Sequence, residues 1–171
     1  DNGMLDDLRK EKEAGRVRHL GWSFHGDVKV VEYLLEMQDE GKARWDFVQI
    51  QHNYIDWKLA SGFNTPSEYL YGDSAKRNIP VVVMEPLLGG RLSNLPDHVL
   101  ARLKQREPER SAASWAFRYA GTMPMVLTAL SGMTYMEHLQ DNLRTFQNFK
   151  PLTEEEINFL YETASLIDQY P

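Results

Sequence analysis

Four short apolar runs, each followed by a polar, glycine-marked loop and a helical pattern, divide this chain into similar units. The runs cover residues 17–22, 47–51, 80–84 and 125–130. Short β-branched runs that end in turn residues are typical of strands. Their spacing of about 30 to 45 residues leaves room for a strand and a covering helix in each unit, so the pattern predicts parallel strands joined by helical crossovers.

The helical patterns between these runs have apolar positions three and four residues apart. They cover residues 4–14, 28–37, 67–76, 111–120, 135–146 and 153–167. In the second helix we expect Val30, Val31, Leu34 and Leu35 to face the core, and we expect residues 64–66 to cap the third. The loop of residues 56–66 is long enough to act as a lid or to be a plain surface excursion.

Four such units predict an α/β fold, half of a (β/α)8 TIM barrel with four βα units, parallel strands and a C-terminal helix. A complete barrel needs about 250 residues, whereas this chain has 171. We therefore expect residues 1–171 to form one partial domain. Because half a barrel has two unpaired sheet edges and an exposed apolar face, we expect the missing half or another copy of the chain to cover them.

The composition is that of a soluble globular protein. It is 42% hydrophobic and 26% charged, with a net charge of −6 and no apolar run long enough to span a bilayer, so neither a membrane nor nucleic acid is an expected partner. The chain has no cysteine, which favours a reducing, cytoplasmic setting. The five histidines lack metal-ligand spacing, and we interpret Glu154, Glu155 and Glu156 as the first turn of a capped helix.

Candidate chemistry lies in the loops that follow the strands. Residues 131–134 stand between a strand and a helix, where backbone N–H groups can meet an anion or can form an ordinary turn. Gln49 and Gln51 alternate with Ile50, so both amides point to one face of the sheet, either into the barrel or toward the helices. A ligand or a polar side chain on a neighbouring strand would satisfy them equally well.

Several of these segments, in their order and spacing, resemble one known family. They are GRVRHLGWS from residue 15, VQIQHNY from 48, PVVVMEPLLGGRL from 80, LSGMT from 130, DNL from 141 and PLTEEE from 151. Together they look like the C-terminal half of an aldo-keto reductase. The sequence is most similar to bacterial members that continue into a ferredoxin-like iron–sulfur module, which has no counterpart in this sequence.

The resemblance implies an oxidoreductase that transfers a hydride between NADP, with NAD as the alternative, and a small-molecule carbonyl or alcohol substrate. It implies that Ser23 and Gln49 bind the nicotinamide carboxamide, that Met84 packs on the ring and that Leu87 lies along the pyrophosphate. On the adenosine side it implies contacts from Ser131, Gly132, Met133, Thr134, His138 and Asn142, with His138 near the 2′-phosphate and Asn142 at the adenine.

The resemblance also implies that this chain carries no catalytic residue, and the residue spacing predicts no metal ligand. In the family the acid–base tyrosine and its partners come from the first four strands, so the chain alone is expected to be inactive. Two alternatives remain open. One is a non-catalytic nucleotide-sensing or interaction module on the same barrel, and the other is an unrelated barrel enzyme with Glu85 as general base and His25 or His52 as its partner.

Overall fold

The computed structural model describes residues 3–60, 62 and 64–167. Its four strands form one parallel sheet in the order β1-β2-β3-β4. The elements in chain order are α1 Met4–Glu13, β1 Gly21–Ser23, α2 Val28–Asp39, β2 Phe47–Gln51, α3 Ser67–Lys76, β3 Val81–Met84, a 3-10 turn Arg91–Ser93, α4 Asp97–Arg106, α5 Ala112–Thr122, β4 Val126–Ala129, α6 Met136–Gln147 and α7 Glu154–Ala164. This is the predicted half of a (β/α)8 barrel. None of the described helices is long and apolar enough to cross a membrane.

The sheet has one face covered by helices and one face without that cover. Val48, Ile50, Val81 and Val83 are fully buried and pack in one core with residues of α2 and α3. Side chains alternate along a strand, so Gln49 and the other polar strand residues point away from the helices. Of the two orientations that the sequence left open for the Gln49 and Gln51 amides, the structure has the one that faces the barrel interior.

The first predicted strand is largely wrong. The strand begins only at Gly21, whereas the sequence predicted it from residue 17. The reason is that Val17 donates its N–H back to Glu11 of the preceding helix, and Leu20 donates its N–H to the Asp46 carboxylate at 2.6 Å. These backbone groups therefore have partners outside a strand ladder.

Two details of the predicted helices are also wrong. Val31 and Leu35 of α2 are buried as expected, but Val30 is 53% exposed, because it lies about 100° around the helix from Val31. Helix α3 has no side-chain cap, whereas we expected one from residues 64–66. Thr65 instead donates its hydroxyl to the Gly26 carbonyl at 3.2 Å.

A second core lies beside the sheet, between the loop after β2 and the helices α4, α5 and α7. Trp115, Tyr119 and Leu160 are fully buried there. Helix α4 belongs to this core but was not predicted from the sequence. The predicted capping box of α7 is confirmed, because Thr153 and Glu156 exchange hydrogen bonds at the start of the helix.

Candidate functional site

Three of the predicted site residues meet on the open face of the sheet, where Ser23 and Met84 end β1 and β3 and Gln49 lies in the middle of β2. The Gln49 Nε2 group donates to the Ser23 hydroxyl at 3.3 Å and lies 3.5 Å from the Met84 sulfur. Parallel pairing sets Ser23 opposite Gln49, so the strand register itself creates this cluster. The result is a small polar patch on the open face of the sheet, formed by one hydroxyl, one amide and one thioether.

A cleft of about 540 Å³ lies between the loop after β3 and the loop after β4. Its walls include Met84 and Leu87 on one side and Ser131 and Gly132 on the other. The volume is within the range of small-molecule sites, about 300–1,000 Å³. Four predicted site residues, from two segments far apart in the chain, therefore line one cleft.

The loop after β3 is held in an unusual backbone shape. Glu85 and Leu88 both have positive φ angles, 54° and 50°, which non-glycine residues adopt only when their surroundings enforce it. The Asn53 amide donates to the Glu85 carbonyl at 3.0 Å, and the Glu85 carboxylate accepts the Gly89 N–H. The Glu85 carboxylate thus closes a turn, which does not favour a role as general base.

Asn53 and Asp56 support that loop, and the sequence analysis missed both. The Asn53 amide nitrogen also donates to the Asp56 carboxylate at 2.7 Å, and its carbonyl accepts the N–H groups of Ile55 and Asp56. Asp56 is almost fully buried and also accepts from the Gln51 amide. An asparagine that binds backbone N–H groups two and three residues later is a known turn signal, which could have identified it.

The loop after β4 is ordered by two contacts of α6. The Asn142 amide donates to the Ser131 hydroxyl at 3.0 Å, which joins two predicted site residues. The Thr134 N–H reaches His138 Nδ1 at 3.4 Å, so one of the N–H groups that we expected to face an anion already has an acceptor. The Met133 side chain is 46% exposed and is not part of the cleft wall.

His52 lies in the helix layer. It is fully buried, its Nδ1 is 3.3 Å from the Ser67 hydroxyl, and the rings of Trp57, Tyr71 and Tyr119 surround it. Burial lowers the pKa of His52 to about 4 from its ordinary 6.5, so the imidazole is neutral at physiological pH. His52 is therefore a core histidine, separated by the sheet from the open face, and is not placed to assist Glu85.

The predicted lid, residues 56–66, includes Ser61 and Phe63, which lie outside the described residues. Beside its described part is a second cavity of about 400 Å³. Tyr54, Leu59 and Tyr161 give this cavity an apolar wall with Lys58 at its edge. Among the described residues, no three His, Asp or Glu side chains come together as metal ligands.

Comparison with known proteins gives one family match and a consistent set of folds. The model of the aldo/keto reductase family matches residues 3–164. Solved structures with the same fold include aldo-keto reductase AKR11C1 from Bacillus halodurans, with a TM-score of 0.67 and 20% identity over 91% of this chain and 54% of that one. They also include the thermostable aldo-keto reductase Tm1743 in complex with the inhibitor epalrestat, with a TM-score of 0.70 and 19% identity over 93% of this chain and 53% of that one.

A third solved structure, described as a putative 2,5-diketo-D-gluconic acid reductase B, has a TM-score of 0.67 and 21% identity over 91% of this chain and 49% of that one. The chain thus spans about half the length of the solved structures that it matches. No curated protein sequence matches it.

Proposed function

Since the chain belongs to the aldo/keto reductase family, we propose that it forms the cofactor-side half of an oxidoreductase that transfers a hydride between NADP and a carbonyl or alcohol substrate. The observation that carries the proposal is the cleft of about 540 Å³ between the loops after β3 and β4. It lies at the carboxyl ends of parallel strands, where barrels of this class carry their chemistry.

The side chains of the cleft, together with the Ser23 and Gln49 cluster that adjoins it at Met84, suit a nicotinamide nucleotide. Ser23 and Gln49 offer a hydroxyl and an amide for the nicotinamide carboxamide, and the Met84 thioether offers a polarisable surface for the ring. Leu87 and the glycines after it allow close approach of a pyrophosphate. When bound, the nicotinamide supplies or accepts the hydride.

On the adenosine side, Ser131, Gly132, Met133 and Thr134 precede α6, whose N-terminus favours a phosphate. Asn142 holds Ser131 in place and is proposed to meet the adenine edge. His138 is proposed to meet the 2′-phosphate, which would make NADP the preferred cofactor over NAD. We also propose that the protein is cytoplasmic, because a sequence without cysteine is compatible with a reducing compartment.

The proton that accompanies the hydride is proposed to come from outside this chain. Tyr119 and Tyr161 are not free to donate a proton at the cleft. Their hydroxyl groups are hydrogen-bonded to each other at 2.8 Å within the second core, and burial raises the pKa of both. His52 is buried and neutral. None of these three side chains can act as a general acid at the cleft. We therefore expect the chain alone to bind the cofactor without turning over substrate.

The proposal is tested by calorimetric titration of the folded chain with NADPH and NADH. We expect saturable binding of NADPH, and about tenfold weaker binding for Gln49→Ala, because one or two hydrogen bonds are worth about 1–1.5 kcal/mol. Gln105→Ala on the exposed part of α4 is the matched control and should leave the affinity unchanged. A folded chain that binds neither nucleotide, or equal affinities for both variants, would contradict the proposal.

A further inference from the structure

A further cavity, of about 500 Å³, lies at the end of the sheet where the strands begin, opposite the cleft. Leu20 and Asp46, which stand just before β1 and β2, lie in its wall. Basic side chains from α1 and from the two segments that lead into these strands make up the rest of its described wall. They are Arg9, Lys12, Arg18, His19 and Arg44.

The positive charge of this cavity exceeds what its own carboxylates neutralise. Among the described residues of the wall, Asp46 is the one carboxylate, and it is already bonded to Lys12 and to the Leu20 N–H. Burial raises the pKa of Asp46, but the bonds from Lys12 and Leu20 outweigh it and hold the pKa below its ordinary value. Asp46 thus stays ionised with its partner and does not neutralise the arginines.

Two guanidinium groups are left without a counterion. Arg9 pairs with Asp6 at 3.0 Å, but in the described part of the chain neither Arg18 nor Arg44 has an ion-pair partner. Both guanidinium groups line one concave surface, so an anion there can reach both.

We propose that this cavity binds a phosphate-bearing small molecule. A phosphate group carries nearly two charges at neutral pH and three acceptor oxygens, so one phosphate can accept hydrogen bonds from two guanidinium groups, whereas the two oxygens of a carboxylate pair with one. The volume exceeds that of one phosphate and suits an organic phosphate or a pyrophosphate. The inference concerns a different end of the sheet and does not rest on the proposed function.

The test is a calorimetric titration of the folded full chain with inorganic pyrophosphate, with the dicarboxylate glutarate as the comparison anion. We expect saturable binding of one pyrophosphate, at least tenfold tighter than glutarate. Arg18→Gln and Arg44→Gln should each weaken it by about tenfold or more. Arg110→Gln, which removes the same charge ahead of α5, should change it by less than twofold.

Two results would overturn the inference. One is the absence of saturable pyrophosphate binding by a chain whose circular dichroism confirms that it is folded. The other is equal weakening by all three arginine substitutions, or equal affinity for glutarate, since either would indicate general charge attraction. NADPH binding that survives Arg18→Gln would leave the cofactor proposal intact whichever way this test ends.

Discussion

At the scale of single residues, His52 shows how a polar group can be part of a core. Three aromatic rings enclose it and only its Nδ1 has a partner, while Nε2 has none among the described residues. A buried neutral imidazole makes the free energy of unfolding depend on pH, because the unfolded chain binds a proton that the folded chain excludes.

The direction of that dependence follows from the lowered pKa. The folded-state pKa of about 4 lies below the ordinary 6.5, so the stabilisation is complete above pH 6.5 and is lost as the pH falls toward 4. One pKa unit corresponds to about 1.4 kcal/mol, which gives a loss of about 3 kcal/mol across the window. Urea unfolding at several pH values measures it.

The matched variants for this measurement are His52→Phe and His25→Phe. His52→Phe should remove this part of the pH dependence, whereas His25→Phe, at an exposed histidine, should retain it. Equal pH profiles for the two variants would contradict the assignment.

At the scale of elements, prediction succeeded where the signal was local. Strand β2 and helix α3 begin and end at the predicted residues, because each has a clear apolar period and a turn residue nearby. Helix α4 was missed, since only Val99 and Leu103 are buried along its length and they pack against the distant segment that forms α7. Its existence depends on tertiary contact, which a local pattern does not contain.

The same distinction explains the site. Ser23, Gln49 and Met84 were predicted from the family resemblance, since each stands in one of the segments that carry it. Asn53 was missed because its side chain donates to the Glu85 carbonyl, which belongs to the loop after β3 and is distant in sequence. Only the folded chain reveals that the positive φ angle of Glu85 needs such support.

The loop after β3 yields a prediction about Asn53. Asn53→Ala removes the amide that bonds the Glu85 carbonyl and the Asp56 carboxylate, so the free energy of unfolding should fall by about 1–3 kcal/mol. Hydrogen exchange should rise first at the N–H groups of Leu88 and Gly90, which close the turns of this loop.

The control for this prediction is Asn148→Ala, at the exposed end of α6. It should change neither the free energy of unfolding nor the hydrogen exchange at Leu88 and Gly90. Uniform exchange over the whole sheet in Asn53→Ala, with no excess at the loop, would show that Asn53 has a general and not a local role.

At the scale of the whole molecule, the sheet has unpaired edges at β1 and β4. Apolar side chains are exposed on and after β4, with Leu127 at 65%, Met136 at 62% and Leu143 at 46%. Open edges and contiguous apolar surface favour association. We propose that a second copy of the chain covers this surface when the chain is studied alone.

Sedimentation velocity over a range of concentrations tests this. The chain should sediment as a concentration-dependent dimer or larger species, and Leu127→Lys should shift it toward the monomer because a charge at a sheet edge opposes pairing. Val30→Lys, which adds the same charge at an exposed apolar position of α2, should not produce that shift. A monomer at every concentration would contradict the proposal.

The central claim is that the cleft between the loops after β3 and β4 is a nicotinamide nucleotide site. The most direct test is amide NMR of the labelled chain during titration with NADP. The account predicts saturable shifts at residues 84–90 and 130–134. Shifts confined to the basic cavity, or no shifts in a folded chain, would contradict it.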